Sequence, residues 1–128
     1  MKKGNILVAE DDPVLREVYE KKFFIGGYDI CTAENGEETI VELEKEMPDL
    51  LILDINMPIM DGFSVLEKYP AKERQFAVIL LTNFGDDRNR ERGEDLGVND
   101  YFIKSQMTMR KLMDMVENLM KAKKFWKK

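Results

Sequence analysis

Short apolar runs alternate with amphipathic stretches five times along this chain. The runs Asn5–Ala9, Asp29–Ala33, Leu50–Leu53, Ala77–Leu81 and Asp100–Ile103 are rich in leucine and β-branched residues and predict strands. Leu51-Ile52-Leu53 and Val78-Ile79-Leu80-Leu81 are apolar throughout, as strands buried on both faces should be. The intervening segments predict helices. Over Pro13–Ile25, Asp12 suits the cap, Pro13 the first helical position, and Gly26-Gly27 the end. Leu15, Val18, Tyr19 and Phe23 form its apolar stripe. Asn35 caps a second helix, Gly36–Met47, with Ile40, Leu43 and Met47 inward and Pro48 as the stop. A short helix, Gly62–Tyr69, breaks at Pro70. A last one, Met109–Lys123, carries Leu112, Met113, Val116, Leu119 and Met120 at helical period. This alternation argues for a parallel sheet covered by helices on both faces.

One segment stands apart. Asp86–Leu96 has a single large apolar residue, Leu96, and an interior glycine, Gly93, which costs about 1 kcal/mol relative to alanine. It is expected to be a marginal, mobile helix.

The polar residues that end the strands change the picture. Glu10-Asp11-Asp12, Asp54, Thr82 and Lys104 each lie at or just past the C-terminal end of a predicted strand. In a parallel sheet these ends share one edge, where ligands of open α/β sheets bind. Carboxylates gathered there repel one another unless a cation joins them. Hard oxygen ligands suit Mg²⁺, and an ammonium with a hydroxyl opposite suits a phosphoryl group.

Composition then narrows the chemistry. The 128 residues fit one domain, and 44% hydrophobic residues suffice for a core. No run approaches the roughly 20 apolar residues that span a bilayer, so no membrane insertion is expected. Cys31, the single cysteine, cannot form an internal disulfide, and a cytoplasmic location is expected. A net charge of −5 argues against direct nucleic-acid binding. The chain has no histidine. That excludes Ser-His-Asp and Cys-His catalysis and imidazole metal sites, and any phosphohistidine donor must belong to a partner. The last eight residues, Lys121–Lys128, hold five lysines with Phe125 and Trp126. They suit a solvated helix end, a docking tail for an acidic partner or membrane surface, or a stub of linker.

In order and spacing, these residues closely resemble the receiver domain of two-component response regulators. The resemblance rests on Asp11-Asp12 after strand one and Asp54 after strand three, with Met57-Pro58 and Asp61-Gly62 following. Thr82 after strand four and Tyr101-Phe102-Ile103-Lys104 in strand five complete it. It implies a flavodoxin-like (βα)5 three-layer sandwich of strand order 2-1-3-4-5, with residues 1–124 as the receiver and 125–128 as a basic aromatic tail. It further implies that Asp54 is the phospho-acceptor and that Thr82 and Lys104 contact the phosphoryl group. Asp11, Asp12, Asp54 and the backbone carbonyl of Asn56 would hold Mg²⁺, with Asp12 the favoured direct ligand. The implied donor is a sensor histidine kinase or a histidine phosphotransfer protein. Thr82 and Tyr101 would form a switch. The implied output is a downstream protein, or a second copy, docked through helix four, strand five and helix five.

The chain departs from the family pattern at three places. Ser105 replaces the usual proline after Lys104, and a cis bond before a non-proline residue costs ~2.5–4 kcal/mol, so a trans bond is expected. Asn83 stands where a small residue is usual, and Phe84 lies beside the implied approach of hydrolytic water. A pseudo-receiver that binds partners constitutively is the alternative reading, and the full set of site residues disfavours it. A haloacid-dehalogenase-type phosphatase would need a D-x-D pattern after strand one, which Glu10-Asp11-Asp12-Pro13 does not supply. A flavodoxin would need a Ser/Thr/Gly-rich first loop in place of the acids.

Overall fold

The computed structural model describes residues 3–83 and 87–126, with side chains through Ala122. Five strands and five helices alternate: β1 Asn5–Ala9, α1 Pro13–Ile25, β2 Asp29–Ala33, α2 Gly36–Lys45, β3 Leu50–Asp54, α3 Gly62–Lys68, β4 Ala77–Thr82, α4 Asp87–Asp95, β5 Asp100–Ile103 and α5 Met109–Trp126. The strands form one parallel sheet in the order β2-β1-β3-β4-β5. This is the flavodoxin-like arrangement, with β3 at its centre between β1 and β4.

Strand β3 is buried at every position, because helices cover both faces of the sheet. Ile6, Val8, Ile52, Ile79 and Leu81 point to the face covered by α1 and α5, where Tyr19, Phe23, Leu112, Met115 and Val116 meet them. Leu7, Leu51, Leu53, Val78 and Leu80 point to the other face, against Leu43 of α2 and Phe63, Val65 and Leu66 of α3. Each strand thus splits its apolar residues between two cores by simple alternation.

The helix ends follow their caps. Asp12 Oδ1 accepts from Val14 N at 2.8 Å, Asn35 Oδ1 from Glu38 N at 2.9 Å, and Asp61 Oδ1 from Ser64 N at 2.9 Å. Two expected core residues stay outside. Val18 remains substantially exposed, and α2 ends at Lys45, which leaves Met47 exposed beyond it. Helix α5 continues to Trp126, so the division expected after residue 124 falls within it.

Gly93 has a role that its helix propensity hides. It is the buried residue of α4, and a Cβ there would lie 2.8 Å from Leu80 Cδ1. The glycine lets α4 sit directly on β4. Arginine side chains hold the rest: Arg90 lies 5.5 Å from the centre of the Tyr101 ring and Arg92 4.5 Å from that of Phe63.

Candidate functional site

Register brings the strand-end groups together. Ala9 pairs with Leu53, Asp54 with Leu81, and Thr82 with Ile103. Glu10 extends β1 by one residue, its N–H donating to Ala33 O at 3.0 Å. Glu10 and Asp54 therefore stand on adjacent strands at the carboxyl edge. Lys104 follows β5, and its N–H donates to Thr82 O at 2.7 Å. Ser105 Oγ donates to Asn83 O at 2.7 Å and fixes the next residue of that loop. The structure has no cis peptide bond among the described residues, so Lys104–Ser105 is trans.

Lys104 bridges two carboxylates. Its Nζ donates to Glu10 Oε1 at 2.5 Å and to Asp54 Oδ2 at 2.9 Å. Asn56 N donates to the other Asp54 oxygen, Oδ1, at 3.1 Å, and Asp12 N donates to Glu10 Oε2 at 3.2 Å. Glu10 is fully buried, and Asp54 and Thr82 are nearly so. One ammonium does not balance two buried carboxylates. Burial and the hydrogen bond to Asp54 push the Glu10 carboxyl up to about 8, against the pull of Lys104. The opposing acids raise the Lys104 ammonium in spite of its own burial.

Oxygen atoms of Glu10, Asp11 and Asp54 all lie within 4.8 Å of one another. Three carboxylates at that spacing form a hard donor set of the kind a small divalent cation takes. Asp11 is exposed, which leaves the set open to water on one side.

Asp12 is not among the three. Its Oδ1 accepts from Val14 N and Leu15 N at the start of α1. The acids whose carboxylate oxygens gather with that of Asp54 are Glu10 and Asp11, whereas Asp12, expected as the favoured direct ligand, caps α1. The cap engages one Asp12 carboxylate oxygen, Oδ1, with two backbone N–H groups. The cue lay in the sequence, since Pro13 at the first helical position marks Asp12 as the cap.

Gly62 explains its place beside the site. A Cβ on it would fall on the backbone carbonyl oxygen of Asp54 and close to Ile55 Cα. Gly62 N also donates to Ile55 O at 2.9 Å. Only glycine lets the start of α3 press on the segment that carries Asp54. Between them Ile59, exposed and β-branched, holds φ +70°, a strained left-handed backbone that sequence reasoning gave no reason to expect.

Tyr101 pairs in register with Leu80 and packs with the α2–α3 core, beneath Arg90. It is half-buried toward α4. Phe84 lies outside the described residues. Among the described residues, no helix is long and apolar enough to cross a membrane.

Residues 6–117 match the family described as Response regulator receiver domain. The chain is 38% identical over 102 residues to the "Probable transcriptional regulator ycf27" of Porphyra purpurea, covering 80% of this chain and 42% of the relative. It is 32% identical over 99 residues to the alkaline phosphatase synthesis transcriptional regulatory protein PhoP of Bacillus subtilis, covering 77% and 41%. It thus spans about two-fifths of the length of these relatives. Among solved structures, the response regulator protein TrrA of Thermotoga maritima, in complex with Mg²⁺-BeF, is 34% identical with a TM-score of 0.80. That match covers 93% of this chain and 99% of the other.

Proposed function

This chain belongs to the response regulator receiver domain family, and on that premise we propose that Asp54 accepts a phosphoryl group in a Mg²⁺-dependent reaction and thereby switches a protein-binding surface. The observation that carries the reading is the Lys104 ammonium shared between Asp54 and Glu10 at the sheet edge, with Asp11 alongside. The similarity to a protein solved with Mg²⁺ and a beryllium fluoride supports it.

Glu10, Asp11 and Asp54 would hold the cation by their carboxylates, with the Asn56 carbonyl as a further ligand. When bound, Mg²⁺ neutralises charge on the incoming phosphoryl oxygens. The chain's own groups do the rest. An Asp54 carboxylate oxygen attacks phosphorus and a P–O bond forms. The P–N bond to a partner's phosphohistidine breaks, and the departing imidazole nitrogen keeps the electron pair. The donor is a sensor histidine kinase or a histidine phosphotransfer protein, since this chain has no histidine. Lys104 already touches Asp54 and is placed to follow the charge onto a phosphoryl oxygen. Thr82, buried at the end of β4, supplies a hydroxyl to another. Such transfer depends on positioning and charge neutralisation more than on covalent chemistry.

The output runs through Thr82 and Tyr101 to the surface of α4, β5 and α5, where a downstream protein or a second copy docks. A phosphoryl group can shift that surface only by binding one of its states better.

Acetyl phosphate with Mg²⁺, read on a phosphate-affinity gel, tests the reading. The wild type should shift, and Asp54→Asn or EDTA should abolish the shift. An unshifted wild type would favour a constitutive binding module.

A further inference from the structure

Glu10 and Asp11 stand on the short turn between β1 and α1. The guanidinium of Arg16, in the second turn of α1, grips the backbone of this turn. Its Nη1 donates to the carbonyl oxygen of Glu10 at 2.9 Å and, more weakly, to that of Asp11 at 3.4 Å. Its Nη2 donates to Glu34 Oε1 at 3.0 Å. The Arg16 side chain is only 17% exposed. Glu34 lies between β2 and α2, and its own N–H donates to Glu38 Oε1 at 3.0 Å. One planar fork therefore ties the acid-bearing turn to the neighbouring turn and fixes the peptide groups from which both carboxylates project.

We propose that Arg16 is the positioning residue of the cation site, holding Glu10 and Asp11 in register with Asp54. The inference rests on the reading of these three acids as a Mg²⁺ site. Arg16 carries no ligand atom itself. It acts through the two carbonyls, which it can hold together with a carboxylate because the guanidinium offers separate donors in one rigid plane. A lysine offers a single nitrogen on a flexible stem and cannot span the three acceptors. Partners that orient metal ligands typically matter by 10–100-fold in affinity.

The test is binding of Mg²⁺ alone, by calorimetric titration of the whole chain, with Mn²⁺ paramagnetic resonance as a second probe. Arg16→Ala should weaken the dissociation constant about tenfold. Arg16→Lys should recover little of that, and Glu34→Gln should show a smaller loss. Arg74→Ala is the control for a merely structural effect. Arg74 also binds backbone carbonyls, those of Tyr69, Leu96 and Gly97, but far from the acids. It should lower the melting temperature and leave cation affinity unchanged. Arg16→Ala within twofold of wild type would overturn the proposal. So would full affinity in Arg16→Lys, which also serves if Arg16→Ala fails to fold. A wild type that binds neither ion overturns the site reading itself, and the Arg16 role with it.

Discussion

Helix α1 and helix α4 flank the same sheet and are held in opposite ways. Helix α1 has a capping aspartate, a proline in its first turn and two buried aromatics, Tyr19 and Phe23. Its Arg16 reaches back to the turn that carries the acids. Helix α4 buries a glycine and otherwise rests on arginines stacked over Tyr101 and Phe63. Its Arg92–Glu67 pair, 3.5 Å apart and half-exposed, adds little. On the proposed reading, the difference separates two roles. Transfer to Asp54 would need fixed geometry, which the packing of α1 favours. A surface that changes shape on phosphorylation would need a weakly held element, which the sparse apolar burial of α4 favours.

The largest expected effect sharpens this contrast. Phe23→Ala should cost about 4 kcal/mol in urea unfolding, as for a fully buried aromatic. Arg92→Ala should cost less than about 1 kcal/mol, the worth of an exposed cation–π contact. Comparable losses in the two variants would remove the distinction.

Gly62→Ala should destabilise by about 2–3 kcal/mol, because the new methyl meets backbone and has nowhere to go. It should also slow labelling by acetyl phosphate, since the displaced atoms belong to Asp54 and Ile55. A variant of normal stability and normal rate would show that the α3 start can retreat from the site.

The acid site makes its own prediction with pH. The Glu10 carboxyl, ordinarily near 4.5, lies near 8 in the folded protein. Between those values the metal-free folded state holds a proton that the unfolded chain releases. Its stability is therefore fully present below pH 4.5 and falls as pH rises toward 8, by at most about 1.4 kcal/mol per pH unit for one proton. Glu10→Gln should flatten that slope in urea unfolding. Mg²⁺ must displace the same proton, so the magnesium-induced rise in melting temperature should be greater at pH 8.5 than at pH 6.

The smallest effect separates two neighbours. Asp12→Ala should cost about 1 kcal/mol through the lost cap, with or without Mg²⁺, and retain the magnesium-induced rise. Asp11→Ala should abolish that rise. The reverse pattern would return Asp12 to the cation site.

Much of this was legible in the chain. The strands followed from apolar runs bounded by glycine, proline and capping residues, because β3 and β4 are buried on both faces and tolerate no polar interruption; their order came only from the resemblance to receiver domains. Asp54, Thr82 and Lys104 were legible because a parallel sheet brings strand ends to one edge. What the sequence blurred was which of three consecutive acids gather with Asp54, because only the folded turn shows Glu10 and Asp11 beside Asp54 while Asp12 caps α1. Arg16 was invisible for a different reason. Its acceptors are two carbonyls, which every residue carries, and a carboxylate 18 positions away. The packing role of Gly93 was hidden because helix propensity is local, whereas its close approach to Leu80 is not.

The central claim is that Asp54 is the phospho-acceptor, and borohydride trapping tests it most directly. Wild-type protein labelled by acetyl phosphate with Mg²⁺ is reduced, which converts an aspartyl phosphate to homoserine, and its peptides are mapped by mass spectrometry. The account predicts homoserine at position 54 and unmodified aspartate at positions 11, 12 and 61. Homoserine at any of those three, or at none of the four, would contradict it.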